Sequence, residues 1–357
     1  MKFAKNIVNH TPIPHGGLYS MNGPGHKMVD YSSNVNPLGF PKSIKKLGRG
    51  WMAKIPVYPD PESKKLKKRL ASHLKVLPAN LVVGNGATEI IYNFCRTTLE
   101  KNTPVLIPVP TFGEYEAAAR LCGAKLLFFK TMDLEKDLAV FVKKIPRNGA
   151  VFVCNPNNPT GTMTSKNSIL QIIKMAKARN TFVFVDECFM ELAQNQNQSV
   201  IDKIHHENLF VLRSLTKSFG LAGLRVGYGI GNKKLASILN KIKIPWNVSG
   251  LAQEVACLAL SDAEFLGRTR RLLKTESKFL TDSISRLDGF SCLGTSANFI
   301  LIRTRTNSRL LQKRLAQKNI LIRDCSTFRG LGKNYIRIAI KTHNENLRLV
   351  NALEGLA

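Results

Sequence analysis

Short apolar runs alternate with helical stretches from about residue 60 to about residue 245. The apolar runs are rich in β-branched and aromatic residues and are bounded by Gly, Pro or Asn. They read VLIPVP, GAVFVCNP, TFVFVDE, LFVLRSL and RVGYGIG. Such runs are typical of strands that are buried on both faces of a sheet. Residues 165–179, between two of them, have helical spacing. The alternation predicts an α/β domain with a mostly parallel, doubly wound sheet.

The pattern changes after residue 250. Residues 251–286 are mainly helical, and the strand-like runs NFILIRT, ILIRD and YIRIAI follow, interrupted and closed by helical stretches. This order predicts a second, smaller α+β domain. We therefore predict a loop-rich N-terminal arm (1–43) that joins the small domain, a large domain (44–250) and a small C-terminal domain (251–357).

The chain is strongly basic, with 53 Lys and Arg against 24 Asp and Glu, a formal charge of +29. A lysine-rich solvated surface is the simplest explanation. Attraction of small polyanionic substrates is a second one, and nucleic-acid binding a third. The densest basic run, 64–69, has leucines at helical spacing and lacks the interleaved aromatic residues of nucleic-acid-binding modules. We expect no nucleic-acid partner.

Seven cysteines are scattered along the chain without a C-x-x-C pair, which favours reduced thiols and no metal site. The first 17 residues lack the apolar segment of a secretory signal. No apolar run approaches the roughly 18 residues of a membrane span. These features predict a cytoplasmic protein without a membrane partner.

Four segments combine polar residues with the ends of predicted strands: 155–161 (NPNNPTG), 186–187 (DE), 214–220 (SLTKSFG) and 225–229 (RVGYG). The carboxyl ends of parallel strands are where α/β proteins bind ligands. Each segment alone is moderately specific, and their order and spacing make the set informative.

Other interpretations of these segments are weaker. Gly84-x-Gly86 lacks the third glycine of a dinucleotide-binding fingerprint. Ser214-x-x-Lys217 resembles a penicillin-binding pattern, but no Ser-Asp-Asn or Lys-Thr-Gly segment follows. Asp186 could cap a helix and Lys217 could be a surface lysine, but the complete set argues against both.

The set resembles the fold-type-I aminotransferases, which use pyridoxal 5′-phosphate (PLP), and the resemblance covers nearly the whole chain. PLP attaches to a lysine amine, and Lys217 fits this role. A buried carboxylate must keep the ring nitrogen protonated, and Asp186 fits. Asn158 fits the hydrogen bond to the ring hydroxyl. We therefore expect Lys217 and Asp186 to be catalytic.

The PLP phosphate requires hydroxyls, a guanidinium and backbone N–H groups. A glycine-containing segment that opens the helical stretch EIIYNFC offers those N–H groups at a helix N-terminus. The expected phosphate-binding residues are Gly86, Ala87, Thr88, Ser214, Thr216 and Arg225.

Further roles follow only from the resemblance. It implies that Phe112 stacks on the pyridine ring. It also implies that Tyr58, in the segment Tyr-Pro-Asp-Pro, reaches the PLP phosphate of a partner subunit. The expected assembly is a homodimer with shared active sites.

Within this group the chain resembles both threonine-phosphate decarboxylases of cobalamin synthesis and histidinol-phosphate aminotransferases. His15-Gly16-Gly17, the segment 34–39 (NVNPLG) and Arg323-Asp324-Cys325 are similar to the decarboxylases. Phe189 stands where the aminotransferases usually have a tyrosine. We expect decarboxylation of L-threonine O-3-phosphate, with histidinol-phosphate amino transfer as the alternative. A PLP-fold protein without activity is disfavoured by the intact cofactor residues.

The expected substrate is a small anionic phosphorylated amino acid. Two arginines offer planar bidentate clamps for its two anionic groups. We assign Arg337 to the carboxylate and Arg323 mainly to the phosphate. The other expected substrate-binding residues are His15, Asn36, Leu38 and Gly39.

Overall fold

The computed structural model describes residue 3, residues 5–20 and residues 28–356. Its strands are β1 (Val29–Asp30), β2 (Leu81–Asn85), β3 (Pro104–Val109), β4 (Lys125–Lys130), β5 (Ala150–Cys154), β6 (Phe182–Asp186), β7 (Leu209–Ser214), β8 (Val226–Gly231), β9 (Phe290–Cys292), β10 (Phe299–Thr304), β11 (Ile320–Leu321), β12 (Arg323–Asp324) and β13 (Tyr335–Ala339).

The helices of the described residues follow the same alternation. They are α1 (Lys5–Val8), α2 (Lys64–Leu74), α3 (Gly86–Thr98), α4 (Glu114–Leu121), α5 (Leu138–Lys144), α6 (Lys166–Ala178), α7 (Leu215–Ser218), α8 (Lys233–Ile242), α9 (Gly250–Ala259), α10 (Phe265–Ile284), α11 (Ser308–Gln317) and α12 (His343–Glu354). Short 3-10 helices lie at Leu18–Ser20, Lys42–Leu47, Arg49–Lys54, Pro78–Asn80, Met190–Leu192, Gln196–Gln198, Ile201–Lys203 and Ala222–Leu224.

Seven strands form the large sheet in the order β2-β8-β7-β6-β5-β3-β4. Strands β3 to β7 pair in parallel, as predicted. Strand β8, the run RVGYGIG, is antiparallel to both β7 and β2. The prediction of a mostly parallel, doubly wound α/β sheet is confirmed.

Successive side chains of the sheet enter two separate apolar cores. Val183 and Val185 of β6 pack with Ile169 of α6, whereas Phe184 packs on the other face with Phe94 of α3. Because side chains of a strand alternate between faces, a continuous apolar run is what a sheet covered by helices on both sides requires.

Local sequence explains where the helices begin. The Ser165 hydroxyl accepts a hydrogen bond from the Ser168 backbone N–H and caps α6. Thr342 and Glu345 form a capping box at the start of α12. The basic run predicted as a helix forms α2, in which Leu66 and Leu70 are buried.

A four-stranded antiparallel sheet, β12-β13-β10-β9, lies in the C-terminal part of the chain. Strand β1, near the N-terminus, pairs in parallel with β11 and brings Val29 beside Ile320. The N-terminal segment thus joins the C-terminal elements. The residue boundaries assigned to the domains stay a prediction.

All seven cysteines lie among the described residues, and each is a free thiol. None of the helices in the described part of the chain has both the length and the apolar character needed to cross a membrane.

Candidate active site

A cavity of about 760 Å³ lies at the carboxyl ends of β5, β6 and β7. The first turns of α3 and α4, the N-terminal segment and residues of β12 and β13 complete its walls. The predicted site residues that line it are His15, Ala87, Thr88, Phe112, Asn158, Asp186, Ser214, Thr216, Lys217, Arg225, Arg323 and Arg337.

Lys217 lies on α7, one turn beyond the end of β7, and its side chain is half-buried against the cavity. Burial lowers the pKa of Lys217 to about 8, and the positive charges of Arg337 and Arg225 act in the same direction. A lysine with this pKa has a much larger neutral fraction near neutral pH than an ordinary lysine. It can therefore act as a nucleophile and as a proton carrier.

Asp186 ends β6 and is only 5% exposed. Its Oδ2 accepts a 2.6 Å hydrogen bond from the Tyr115 hydroxyl, and its Oδ1 accepts a 2.9 Å bond from the Cys188 backbone N–H. Burial raises the pKa of Asp186. Among the described residues this carboxylate forms no ion pair. A cationic ring nitrogen placed here would complement it.

The N-terminus of α3 lies against the side chain of Arg225. Gly86 has φ +77°, and a Cβ atom there would lie 2.5 Å from Nη2 of Arg225. Only glycine allows this approach without displacement of the guanidinium. The hydroxyl of Thr216, on the same side of the cavity, is buried without a partner in the described part of the chain. Exposed helix N–H groups, a guanidinium and a free hydroxyl fit a phosphate.

Arg337 projects from β13 and is 6% exposed. Its Nη1 donates to Oδ1 of Asn158, and its Nη2 donates a 2.8 Å bond to the Ser32 carbonyl. Its Nε lacks a partner, and no carboxylate of the described residues pairs with it. Burial lowers the pKa of Arg337 to about 10. A buried, uncompensated guanidinium is a binding group for a carboxylate.

Arg323 lies at the rim, on β12. Its Nη2 donates a 2.6 Å bond to the Pro14 carbonyl and a 3.3 Å bond to the Thr327 hydroxyl. Its guanidinium lies 5.4 Å from the centre of the Phe328 ring. Burial lowers the pKa of Arg323, and within the described ranges no carboxylate pairs with it. The rim thus carries a second cation that is available to an anion.

Several predicted site residues lie outside the cavity lining. Tyr58 is 79% exposed, and its ring lies 4.9 Å from that of Trp246, tilted by 34°. Asn36 is buried, and its Nδ2 donates to the Ser218 carbonyl at 2.7 Å and to the Thr269 hydroxyl at 3.0 Å. These bonds occupy the amide in holding its loop to α7.

The remaining residues of that loop are also outside the lining. Leu38 is partly exposed, and its backbone N–H donates to Oδ1 of Asn36. The carbonyl of Gly39 packs against Gly220, where a Cβ atom would lie 2.0 Å from it. Gly86 does not line the cavity itself, but its lack of a Cβ atom leaves room for the Arg225 guanidinium. In this structure the loop supports the segment that carries Lys217.

Tyr115, Glu114 and Ser32 lie in no sequence motif that predicts a role for them. Tyr115 occupies a core-facing position of α4, where an aromatic residue needs no functional explanation. Its bond to Asp186 joins residues 71 positions apart, and no local pattern marks such a pair.

The fold and this site together define a PLP-dependent enzyme of fold type I. The chain belongs to the family "Aminotransferase class I and II", whose sequence model matches residues 26–353. PLP is its cofactor. The site residues fit that group: Lys217 to attach it, Asp186 to face its ring nitrogen, and Thr216 and Arg225 to bind its phosphate.

Relatives in two functional groups resemble this chain. A protein of Caldanaerobacter subterraneus subsp. tengcongensis, named "Putative threonine-phosphate decarboxylase", is 35% identical over 97% of this chain and 94% of that protein. The histidinol-phosphate aminotransferase of Methanocaldococcus jannaschii is 33% identical over 92% of this chain and 89% of its own length.

A solved structure is similar as well. The L-threonine-O-3-phosphate decarboxylase of Porphyromonas gingivalis superimposes with a TM-score of 0.82 at 26% identity, covering 92% of this chain and 99% of that one. The histidinol-phosphate aminotransferase of Clostridium acetobutylicum superimposes with a TM-score of 0.84 at 31% identity, covering 92% of this chain and 99% of that one.

Proposed function

We propose that this enzyme decarboxylates L-threonine O-3-phosphate to (R)-1-amino-2-propanol O-2-phosphate and CO₂, a product that serves as the aminopropanol linker of cobalamin. The observation that carries the proposal is that Arg337 and Arg323, both without a carboxylate partner in the described ranges, line one cavity with Lys217. A substrate with an amine, a carboxylate and a phosphate matches this set of groups.

Arg337 is the group for the carboxylate because it is buried beside Asn158, close to Lys217. Arg323 is the group for the phosphate because it lies at the rim, where a dianion keeps partial access to water. Phe189, whose ring packs 5.1 Å from the ring of Phe299, lines the same cavity without a hydroxyl. By the resemblance described above, the aminotransferases usually have a tyrosine at this position.

Bound PLP supplies an electron sink for the pair released when a bond at the substrate Cα breaks. In the proposed reaction the Cα–carboxylate bond breaks, the carboxylate leaves as CO₂ and the electron pair stays on the substrate. Lys217 then delivers a proton to Cα. Asp186, held by Tyr115 and the Cys188 N–H, keeps its charge directed at the ring nitrogen. The pose that the two arginines impose decides which Cα bond breaks.

The test measures CO₂ release from L-threonine O-3-phosphate by PLP-loaded enzyme without a keto acid. Sustained release that is lost in Lys217→Ala supports the proposal. No release, together with amino transfer between histidinol phosphate and 2-oxoglutarate, would replace it with the alternative that the aminotransferase relatives suggest.

We also propose that the enzyme acts as a homodimer, with Tyr58 reaching the site of the partner subunit. Large apolar side chains are exposed around Tyr58, which is the expected property of a surface that a second copy covers. They are Met52, Ile55, Val57, Ile244 and Trp246. Sedimentation equilibrium tests the assembly, and a monomer at micromolar concentration would contradict it.

A further inference from the structure

Three consecutive residues in the first turn of α4 each bind a different part of the cavity wall. Glu114 binds His15 of the N-terminal segment, and Tyr115 binds Asp186 at the end of β6. Glu116 forms a bidentate pair with Arg329, at 2.8 Å for both bonds. The contacts of Tyr115 and Glu116 lie at the floor and at one side of the cavity. The contact of Glu114 lies at the rim.

The Glu114 carboxylate is buried, with 7% of its side chain exposed, whereas the side chain of His15 is 54% exposed and lines the cavity. Oε1 of Glu114 lies 2.7 Å from Nε2 of His15, and Oε2 accepts a 2.7 Å bond from the Tyr92 hydroxyl. Although burial acts to raise it, the hydrogen bonds from His15 and Tyr92 hold the pKa of Glu114 below its ordinary value. An ionised carboxylate only accepts, so Nε2 of His15 carries the hydrogen of this bond.

The backbone on both sides of His15 is also held. The Pro14 carbonyl accepts from Nη2 of Arg323, and the Gly17 N–H donates a 2.8 Å bond to the Ser32 hydroxyl. The Ser32 carbonyl in turn accepts a hydrogen bond from Nη2 of Arg337. The backbone around His15 is therefore tied to both arginines assigned to the anionic groups, and among the described residues Nδ1 of the imidazole has no hydrogen-bond partner.

We propose that Glu114 is a positioning residue that fixes the His15 imidazole at the rim, so that His15 and Arg323 together bind the phosphate of the substrate. A proton on Nδ1 gives the imidazole a donor for that dianion, and the carboxylate behind it compensates the resulting positive charge. Phe112, whose ring centre lies 6.0 Å from that of His15, limits the imidazole on the inner side.

This inference rests on the proposed function only in that the ligand carries a phosphate. The probe is O-phosphoethanolamine, which has an amine and a phosphate but no carboxylate to lose. Its dissociation constant is measured by calorimetry on the holoenzyme for wild type, Glu114→Gln, His15→Ala and the double variant. The absorbance of the bound cofactor reports whether each variant keeps an intact site.

The expected result is a rise of about tenfold in the dissociation constant for Glu114→Gln and for His15→Ala, the loss of one charge-assisted hydrogen bond. The double variant binds no more weakly than His15→Ala, because Glu114 acts through His15. The cofactor absorbance is unchanged in all variants.

A matched pair elsewhere in the chain provides the control. Glu276 on α10 and His343 at the start of α12 are 3.2 Å apart, with 7% and 57% of their side chains exposed, and neither lines the cavity. Glu276→Gln removes the same kind of contact and is expected to leave the dissociation constant unchanged.

Three outcomes overturn the proposal: Glu114→Gln binds like wild type, Glu114→Gln weakens binding equally in the His15→Ala background, or Glu276→Gln weakens it as much. Failure of the proposed function looks different. If the enzyme releases no CO₂ but the effects of Glu114→Gln and His15→Ala on phosphate binding are coupled, the role of Glu114 is supported and the decarboxylase proposal is wrong.

Discussion

The hydroxyl of Tyr115 donates a 2.6 Å hydrogen bond to Oδ2 of Asp186, from the first turn of α4 to the end of β6. With the Cys188 N–H on Oδ1, it orients a carboxylate that burial otherwise disfavours in its charged form. The carboxylate proposed to face the cofactor nitrogen is thus held by Tyr115, a residue to which no sequence motif assigned a role.

Tyr115→Phe removes one of the two donors to Asp186 and is expected to lower kcat by about tenfold, since a hydrogen bond to a charged group contributes about 1.5–3 kcal/mol. The pKa of Asp186 should rise further, so the carboxyl is more easily protonated and stabilises a protonated ring nitrogen less well. Steady-state kinetics and the cofactor spectrum check both effects. Tyr335→Phe, outside the cavity lining, is the control. Equal kcat values for both variants would show that the Tyr115 hydroxyl does not contribute to catalysis.

Gly86→Ala should weaken PLP binding by at least about tenfold. The new Cβ atom meets the Arg225 guanidinium at 2.5 Å, and φ +77° costs a non-glycine residue about 1–2 kcal/mol. The dissociation constant of PLP is measured by fluorescence titration of apoenzyme. Gly223→Ala is the matched control, because its Cβ atom would meet nothing within 4 Å. Unchanged PLP affinity in Gly86→Ala would show that PLP binding does not depend on the close contact between Gly86 and the Arg225 guanidinium.

Attachment of PLP to apoenzyme should accelerate as pH rises, with a midpoint near pH 8, because the lowered pKa of Lys217 sets the fraction of neutral amine. Arg337→Gln removes a nearby positive charge that lowers this pKa, so the midpoint should move to higher pH. Burial, the larger cause, remains. Stopped-flow absorbance measures the rate, with Arg305→Gln, on an exposed ion pair, as control. A midpoint near the ordinary pKa of lysine in wild type would contradict the assignment.

Asn36→Ala should lower the free energy of unfolding by about 2 kcal/mol, because it removes two buried hydrogen bonds, to the Ser218 carbonyl and to the Thr269 hydroxyl. Urea denaturation of the holoenzyme measures the change. Asn195→Ala, at an exposed position, is expected to change it little. If Asn36 instead contacts substrate, the variant should raise KM at nearly unchanged stability.

The sequence by itself determined the local structure and the type of chemistry. The strand runs, the basic amphipathic helix α2 and the helix that begins at Gly86 all follow from periodicity and turn residues within a short window. Lys217 and Asp186 could be proposed as site residues because polar groups at strand ends follow immediately after recognisable apolar runs.

Only the tertiary structure decided which of these groups meet. The antiparallel direction of β8, the bond from Arg337 to Asn158 and the contact of Glu114 with His15 join segments that are distant along the chain. The same step separated Asn36 from the cavity. The physical reason is that periodicity records which face of an element is buried, whereas a partner across the cavity depends on strand order and on where each loop returns.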